Sequence, residues 1–444
     1  MSIIPHAPPI SIDQIISEYR TKEELILASH HPAPQWGRGP CSYLNSAAFG
    51  EPPGGCLELK SELTLLCYQQ PMFYHRSVVP RLVEDSRFAA CDLIGIDPSL
   101  RSTFSFVPVT SAIFTVLLSF SWSPGDVVVT TDVIYHSVKD ALLYLQAEKG
   151  VVWKVAETSF RGTCEARGAT LNSLVSSLVS SSVPLKLVIF DAISSKPTLT
   201  FPVSSIVSHC RSLGIPTLVD AAHAPGNKGG RRHFDPDCTF WVCTFHKWLG
   251  VPRGGAGGMW VNLVDLKDKF KGIIDPARLV TEGEEVAGSY VDAKPGILTD
   301  GIFRGVYDES TREYENIILI PFCVKSREKR GYSEEWKGVR REGEKVYGDI
   351  LGLREEEMGT WRVDDEVPIS CLELPEKLKG GGGWKEVKKR LVKILWEEFS
   401  IEVPVFLHGG KAGLRVTVSD AVCVSDFARL GMAVKEVTER GEFQ

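Results

Sequence analysis

Residues Phe240–Lys247 read FWVCTFHK, and the chain continues WLGVPRGGAGG through Gly258. An apolar, β-branched and aromatic run predicts a buried strand. It ends in Thr244, Phe245, His246 and Lys247, and breaks at Gly250 and Pro252. A lysine at a strand end, followed by a glycine-rich turn, is poorly placed for a core and well placed for a site. Once its amine is deprotonated, it can form a Schiff base with a carbonyl cofactor. Taken alone, the run favours an ordinary exposed lysine beside a loop, since surface lysine is common.

Working outward, the same pattern repeats. From about Leu82 to Asn262, short apolar runs (Phe104–Val109, Val127–Thr131, Val151–Val155, Leu185–Phe190, Thr217–Val219, Phe240–Cys243, Gly258–Val261) alternate with the helical patterns Ala112–Phe120, Ser137–Glu148, Leu171–Ser180 and Ser204–Leu213. Most of the runs are apolar on both faces, as strands covered by helices on two sides should be. The alternation predicts an α/β fold with a doubly wound, mostly parallel sheet. In such a sheet, ligands gather at the carboxyl ends of the strands. From about Asp265 charges become dense, and Gly380–Gly383 forms a break. A helix over Trp384–Phe399 and strands over Glu402–Phe406 and Gly413–Val418 predict a smaller C-terminal α+β domain. The resulting division is an N-terminal arm and entry segment over 1–80, a large domain over 81–320 and a small domain over 321–444. The stretch Ile273–Thr311 reads as a long ordered loop or lid.

Two further strand ends carry chemistry. In PTLVDAAH (Pro216–His223), Asp220 ends a buried strand, where a carboxylate must find a strong partner. A protonated pyridine nitrogen is such a partner and would keep the ring able to draw electrons. A helix N-cap is the other common fate of such an Asp. His223 stands three residues on, in reach of a cofactor or on a helix surface. In FSFVPVTSAIF (Phe104–Phe114), Thr110 and Ser111 open a helix whose amides and hydroxyls suit a phosphate, or simply cap the helix. No GxxxxGK[ST] run occurs, so a nucleotide P-loop is not supported.

Composition excludes other classes. The 444 residues are 43% hydrophobic and carry a net charge of -6, which argues against nucleic acid as the main partner. The N-terminus lacks a secretory core, and no apolar stretch is long enough for a membrane helix. The 11 cysteines, an odd number without a CxxC pair, read as free thiols of a cytoplasmic protein and not as a zinc site or disulfide frame; no metal is expected.

Phosphate cradle, strand-end Asp and strand-end Lys occur in that order. With TSAIFTVLLSF, PGDVVVTTDVIYHSVKDAL, DAISSKPTLTFPV, LVDAAHAPG and TFHKWLGVPRGGAG, the chain resembles pyridoxal 5'-phosphate (PLP) enzymes of fold-type I. Within them it is most similar to the class V aminotransferase superfamily, in the isopenicillin N epimerase-like branch that includes hercynylcysteine sulfoxide lyases and fungal specialised-metabolite enzymes. The resemblance spans most of residues 40–320 and returns at Arg415.

The resemblance implies that Lys247 carries PLP and moves the Cα proton, and that Asp220 pairs with the pyridine nitrogen. It implies that Thr110, Ser111, Thr244 and His246 bind phosphate. Tyr135 falls where the family stacks an aromatic on the cofactor, with His136 as the fallback. Ser195, with Ser194, falls at the phenolic oxygen, and His223 near that oxygen or the Schiff base. Arg415, in GLRVTVSD, matches the arginine that grips the substrate α-carboxylate. Asn45 lies in the entry motif YLNSAAFG, and Arg76 closes PMFYHR, which lines the substrate channel in this branch. Thr311 matches a threonine reaching the partner subunit's phosphate, so a homodimer with shared active sites is implied. The chain departs from the branch at Ser46 and Ala192, where histidine is usual, and at Asp308, where tryptophan is usual. The segment Leu372–Leu414 contains no cysteine, unlike the mobile-cysteine segment of desulfurases, which argues against a persulfide-forming enzyme. The implied reaction on an amino-acid substrate is lyase-type β- or γ-elimination of a C–S or similar bond. Epimerisation or C–C bond formation, with or without decarboxylation, is the rival, and transamination ranks third.

Overall fold

The computed structural model describes residues 11–28, 41–159, 162–268, 312–331, 334–354, 366–379 and 383–441. After helix Ile12–Ala28, a short strand β1 (Ser42–Tyr43) precedes helices Cys56–Gln69 and Val79–Ile94. The large sheet then forms from β2 (Phe104–Ser105), β3 (Val127–Thr131), β4 (Val152–Ala156), β5 (Leu185–Asp191), β6 (Thr217–Asp220), β7 (Phe240–Thr244) and β8 (Gly257–Val261). Its order is β2-β8-β7-β6-β5-β3-β4. The β4, β3, β5, β6 and β7 pairings are parallel, and β8 runs antiparallel to β7 and β2. The predicted doubly wound, mostly parallel sheet is therefore what forms.

Its residues alternate between two cores. Val127, Val129, Val188, Phe190, Val219 and Trp241 face the layer of helices Val79–Ile94, Cys164–Ser180 and Val203–Ser212. Val128, Leu187, Ile189, Leu218, Phe240 and Val242 face helices Val109–Ser119 and His136–Lys149. Helix His136–Lys149 ends at Gly150, whose φ of 66° is a left-handed C-cap that a β-carbon would strain. The chain steps outward from β3 to β4 and returns on the far side of β3 as β5. That reversal opens a crevice at the carboxyl ends of β3 and β5.

A second sheet, β11-β12-β9, is antiparallel and built from β9 (Ile369–Glu373), β11 (Val405–His408) and β12 (Lys411–Thr417). With helices Glu335–Leu351, Trp384–Glu397 and Val424–Glu439, it has its own core around Leu391, Leu414, Val416, Phe427 and Leu430. The chain start is stitched into this unit, since β1 pairs in parallel with β10 (Ile401–Glu402) and Leu44 joins its core. Helix Ile320–Arg330, by contrast, packs Phe322 and Cys323 into the large-sheet core. A small apolar group (Ala47, Ile193, Ile369, Cys371 and Phe406) bridges the two sheets. Across this seam His408 Nε2 lies 3.1 Å from Asp132 Oδ2, just beyond β3.

Two sequence expectations shift in detail. The run expected as strand Phe104–Val109 pairs only at Phe104–Ser105, and helix begins at Val109 after the N-cap residue Pro108. The run expected as one strand, Glu402–Phe406, divides into β10 and β11 around Val403 and Pro404, because proline has no amide hydrogen to continue a ladder. Ile273–Thr311 and Asp308 lie outside the described residues.

Candidate active site

The carboxyl ends of β5, β6 and β7 bring three ionisable side chains to one edge. Asp191 and Asp220 are direct ladder partners, and Asp220 in turn pairs with Val242 of β7. Both carboxylates are buried, each 3% exposed. Burial raises the pKa of Asp220, against the pull of Lys247 and a hydrogen bond donated by the Ala222 amide at 3.0 Å. Burial, then repulsion from Asp220, holds Asp191 well above the usual carboxylate range. Neighbouring carboxylates do not both ionise cheaply, and Asp191 is the one raised by its neighbour. Its Oδ2 is buried without a hydrogen-bond partner.

Lys247 lies beyond β7, half-buried, with Nζ 3.1 Å from His223 Nε2. Burial lowers its ammonium to about 8, opposed by Asp220 and Asp191 and reinforced by Arg415. A lysine so lowered is within reach of its free-amine form, which nucleophilic chemistry requires. Burial and the charge of Lys247 push His223 well below its ordinary value, so its ring is neutral. With Lys247 donating to Nε2, the ring hydrogen resides on Nδ1, and that atom is buried without a partner among the described residues.

The loop between Lys247 and β8 is clamped from outside by the chain's entry segment. The Gly50 amide donates to the His246 carbonyl at 2.8 Å, and Phe49 stacks on the His246 ring at 5.8 Å. A β-carbon on Gly50 would lie 1.7 Å from the Lys247 carbonyl oxygen, so only glycine permits this approach. His246 Nδ1 is 2.6 Å from Thr244 Oγ1, and burial lowers its pKa to about 4. Thr110 and Ser111 lie exposed in the first turn of helix Val109–Ser119.

From the small sheet, Arg415 of β12 enters the same crevice. It is 2% exposed, and burial lowers its guanidinium to about 10. Nη1 donates to Ser195 Oγ at 3.1 Å and to the Ser195 carbonyl at 3.3 Å, and Nη2 donates to Asn45 Oδ1 at 2.8 Å. All its described partners are neutral, and Nε is buried with none. Tyr135, the N-cap of helix His136–Lys149, is half-buried and feels both Asp220 and Arg415, whereas His136 is exposed.

The structure thus joins Lys247, Asp220, His223, Tyr135, Arg415, Ser195 and Asn45, with Thr244 and His246 at the next turn. Arg76 is exposed on the helical turn Tyr74–Val78. Thr311 lies outside the described residues. Sequence reading missed Asp191 and Lys196. Asp191 had the same signal as Asp220, an Asp closing an apolar run, and Lys196 follows a serine already singled out.

The orphaned His223 Nδ1 and the buried carboxylate of Asp220 at the strand edge fit PLP, whose phenolic oxygen and pyridine nitrogen would supply an acceptor and a second cation. No family model matches the chain. Among relatives, an L-cysteine desulfhydrase-like protein, lolT1, of Epichloe uncinata is 25% identical over 431 residues, covering 89% of this chain and 92% of its own length. Hercynylcysteine sulfoxide lyase of Schizosaccharomyces pombe is 22% identical, covering 83% and 86%. Isopenicillin N epimerase of Streptomyces clavuligerus is 28% identical, covering 89% and 94%. A solved structure of the cystine C–S lyase C-DES with its product cysteine persulfide superposes with a TM-score of 0.61 at 17% identity, covering 92% of this chain and 99% of that one.

Fold and relatives together define a PLP-dependent enzyme of fold-type I. The sequence similarity to desulfhydrase-like, sulfoxide lyase and isopenicillin N epimerase proteins supports a place in the class V aminotransferase superfamily.

Proposed function

We propose that the enzyme is a lyase that acts on a sulfur-bearing amino acid, removing its Cα proton and expelling the β-substituent. The observation that carries this reading is Arg415, buried and held by neutral partners, on the same crevice as the lowered Lys247. Such a guanidinium suits a carboxylate. Its grip on the α-carboxylate would set which Cα bond stands across the electron sink.

In this reading Lys247 holds PLP covalently, Asp220 meets the pyridine nitrogen and His223 the phenolic oxygen, with Ser195 nearby. Thr110, Ser111, Thr244, His246 and Thr311 take the phosphate, and Tyr135 covers one ring face. Asn45 orients Arg415, and Arg76 lines the approach. Bound PLP supplies the sink for the electron pair left at Cα. Lys247 Nζ takes the Cα proton. The Cβ–S bond then breaks, the sulfur leaves as a thiol, and with one water the carbon skeleton ends as a 2-keto acid and ammonia. His223 stays neutral beside Lys247 and so keeps that amine from gaining a second cationic neighbour.

Two observations argue against a persulfide-forming thiol. Cys371, the ladder partner of Arg415, receives the Thr198 amide at 3.4 Å, and burial pushes its thiol up to about 11. A thiol so held is not a mobile nucleophile. The similarity to isopenicillin N epimerase supports a second reading, in which the proton returns to Cα from the other side. Supporting a homodimer, Thr110 and Ser111 are exposed in the single chain, where a second copy would cover them. Supporting a reducing, cytoplasmic setting, the eleven cysteines form no disulfide among the described residues. Among the described residues no helix is long and apolar enough to cross a membrane.

The test is borohydride reduction with peptide mapping, followed by product analysis on a panel of cysteine thioethers. Cofactor on Lys247 with release of keto acid, ammonia and thiol is expected. Solvent deuterium at Cα without breakdown would establish the epimerase reading, and cofactor on another lysine would overturn both.

A further inference from the structure

The substrate side of the crevice holds more positive charge than an α-carboxylate neutralises. Ser195, whose carbonyl and hydroxyl both accept from Arg415, is followed by Lys196. The backbone around Lys196 is pinned on both sides. Ser194 Oγ donates to the Pro197 carbonyl at 2.7 Å, and the Thr198 amide donates to Cys371 Sγ of β9. Lys196 is half-buried. Lys388, half-buried on helix Trp384–Glu397, adds a further cation on this side.

Lys196 has no hydrogen-bond or ion-pair partner among the described residues, and neither Arg415 nor Lys388 has a carboxylate there. Burial is the main cause that lowers Lys196 to about 8, and the charges of Arg415 and Lys388 add to it; no carboxylate opposes them. An exposed lysine can extend into water, so one held half-buried between like charges is costly unless an anion arrives. An α-carboxylate on Arg415 leaves this second charge unmatched.

We infer that the substrate is an amino acid whose side chain ends in an acid, and that Lys196 binds this second anionic group while Arg415 holds the α-carboxylate. This rests on the assignment of Arg415 to the α-carboxylate in the proposed function. Ser46, buried beside Asn45 with its hydroxyl unpartnered, adds a neutral hydrogen-bonding group to the same segment.

The experiment is calorimetric titration of the cofactor-loaded enzyme with L-2-aminoadipate and with its 6-amide, which lack a sulfur leaving group and differ in one charge. A charge-assisted hydrogen bond predicts the acid to bind at least about 10-fold more tightly than the amide. Lys196→Met should collapse that ratio to below about 3-fold, and Lys196→Arg should keep it. The wild-type preference should also fall as pH rises through about 8, where Lys196 loses its charge. A wild-type ratio near unity, or a large ratio that survives Lys196→Met, overturns the inference. Should Lys196→Met not fold, Lys196→Gln and the wild-type pH series decide in its place.

Turnover separates this inference from the reaction itself. S-carboxymethyl-L-cysteine and S-carbamoylmethyl-L-cysteine carry the same leaving sulfur and differ in charge. Equal cleavage of both with equal binding overturns Lys196 as a specificity residue and leaves the lyase intact. Cleavage of neither, with the acid-over-amide binding preference retained, overturns the lyase and leaves the second-anion site standing.

Discussion

Two groups of buried charge face each other across the crevice, and they are balanced differently. At the carboxyl edge of the large sheet, Asp191, Asp220 and Lys247 contain both signs, and the neutral ring of His223 completes them. On the substrate side, Arg415 and Lys196 are cations served, among the described residues, only by neutral atoms: Asn45 Oδ1 and the Ser195 oxygens for Arg415, and none for Lys196. A group that contains its own counter-charges can wait for a cofactor that is always present. A group that lacks them is arranged for an anion that comes and goes. The cost of burying an unpaired guanidinium is then part of what makes the site bind.

The largest effect should come from breaking the balanced group. Asp220→Asn removes the charge that pairs with the pyridine nitrogen in the proposed function while keeping the shape. Loss of such a preorganised electrostatic partner should lower kcat by about 10²–10³-fold, measured by keto-acid release, with the cofactor still attached to Lys247. A kcat within about 3-fold of wild type would remove Asp220 from the cofactor's electronics.

The unbalanced group should respond in a different parameter. Arg415→Met removes a buried cation that has no carboxylate partner among the described residues, so no ion pair there is lost. Binding of the α-carboxylate should weaken by about 2 kcal/mol or more, on the order of 30-fold in KM, with the cofactor's visible band kept. Loss of the cofactor in place of the KM effect would show that the two groups are not separate.

The sequence made the sheet legible because its runs are β-branched and buried on both faces. Val127–Thr131 is the strand expected, and the core alternates residue by residue. What the apolar pattern could not show was where strands stop. It ended β5 at Phe190, β6 at Val219 and β7 at Cys243, whereas the ladder extends one residue further to Asp191, Asp220 and Thr244. Polar residues end a hydrophobic run but not a hydrogen-bonded ladder, since backbone pairing is indifferent to the side chain. Those extra residues are the chemical ones. Lys247 and Asp220 were found because strand-end position and family resemblance agreed. Asp191 has the same position but entered only as the first residue of DAISSKPTLTFPV. β9 was missed because Ile369–Glu373 mixes apolar and polar residues in a stretch of dense charge. The contact of Arg415 with Asn45 joins residues 370 positions apart, beyond any local pattern.

The smallest expected effect sharpens the comparison most, because it separates two neighbouring carboxylates. Asp191 and Asp220 are ladder partners with equal burial and share Lys247 as their leading opposing charge, yet Asp191 is raised further by the charge of Asp220 itself. If Asp191 is protonated, an amide of the same shape replaces it almost without loss, and Asp191→Asn should stay within about 3-fold of wild type in kcat/KM. Its effect should appear in stability against pH. A carboxyl whose folded pKa is raised above its unfolded value, about 3.9, contributes stability that is fully present below that unfolded value. That contribution is lost as pH rises through the raised folded pKa, because the unfolded chain releases the proton more readily. Wild type should therefore lose melting temperature over this window as pH rises, and Asp191→Asn should lose less. Parallel melting curves for the two proteins across the window, or a kcat loss as large as that of Asp220→Asn, would mean that Asp191 is ionised and works as the second anion of the edge.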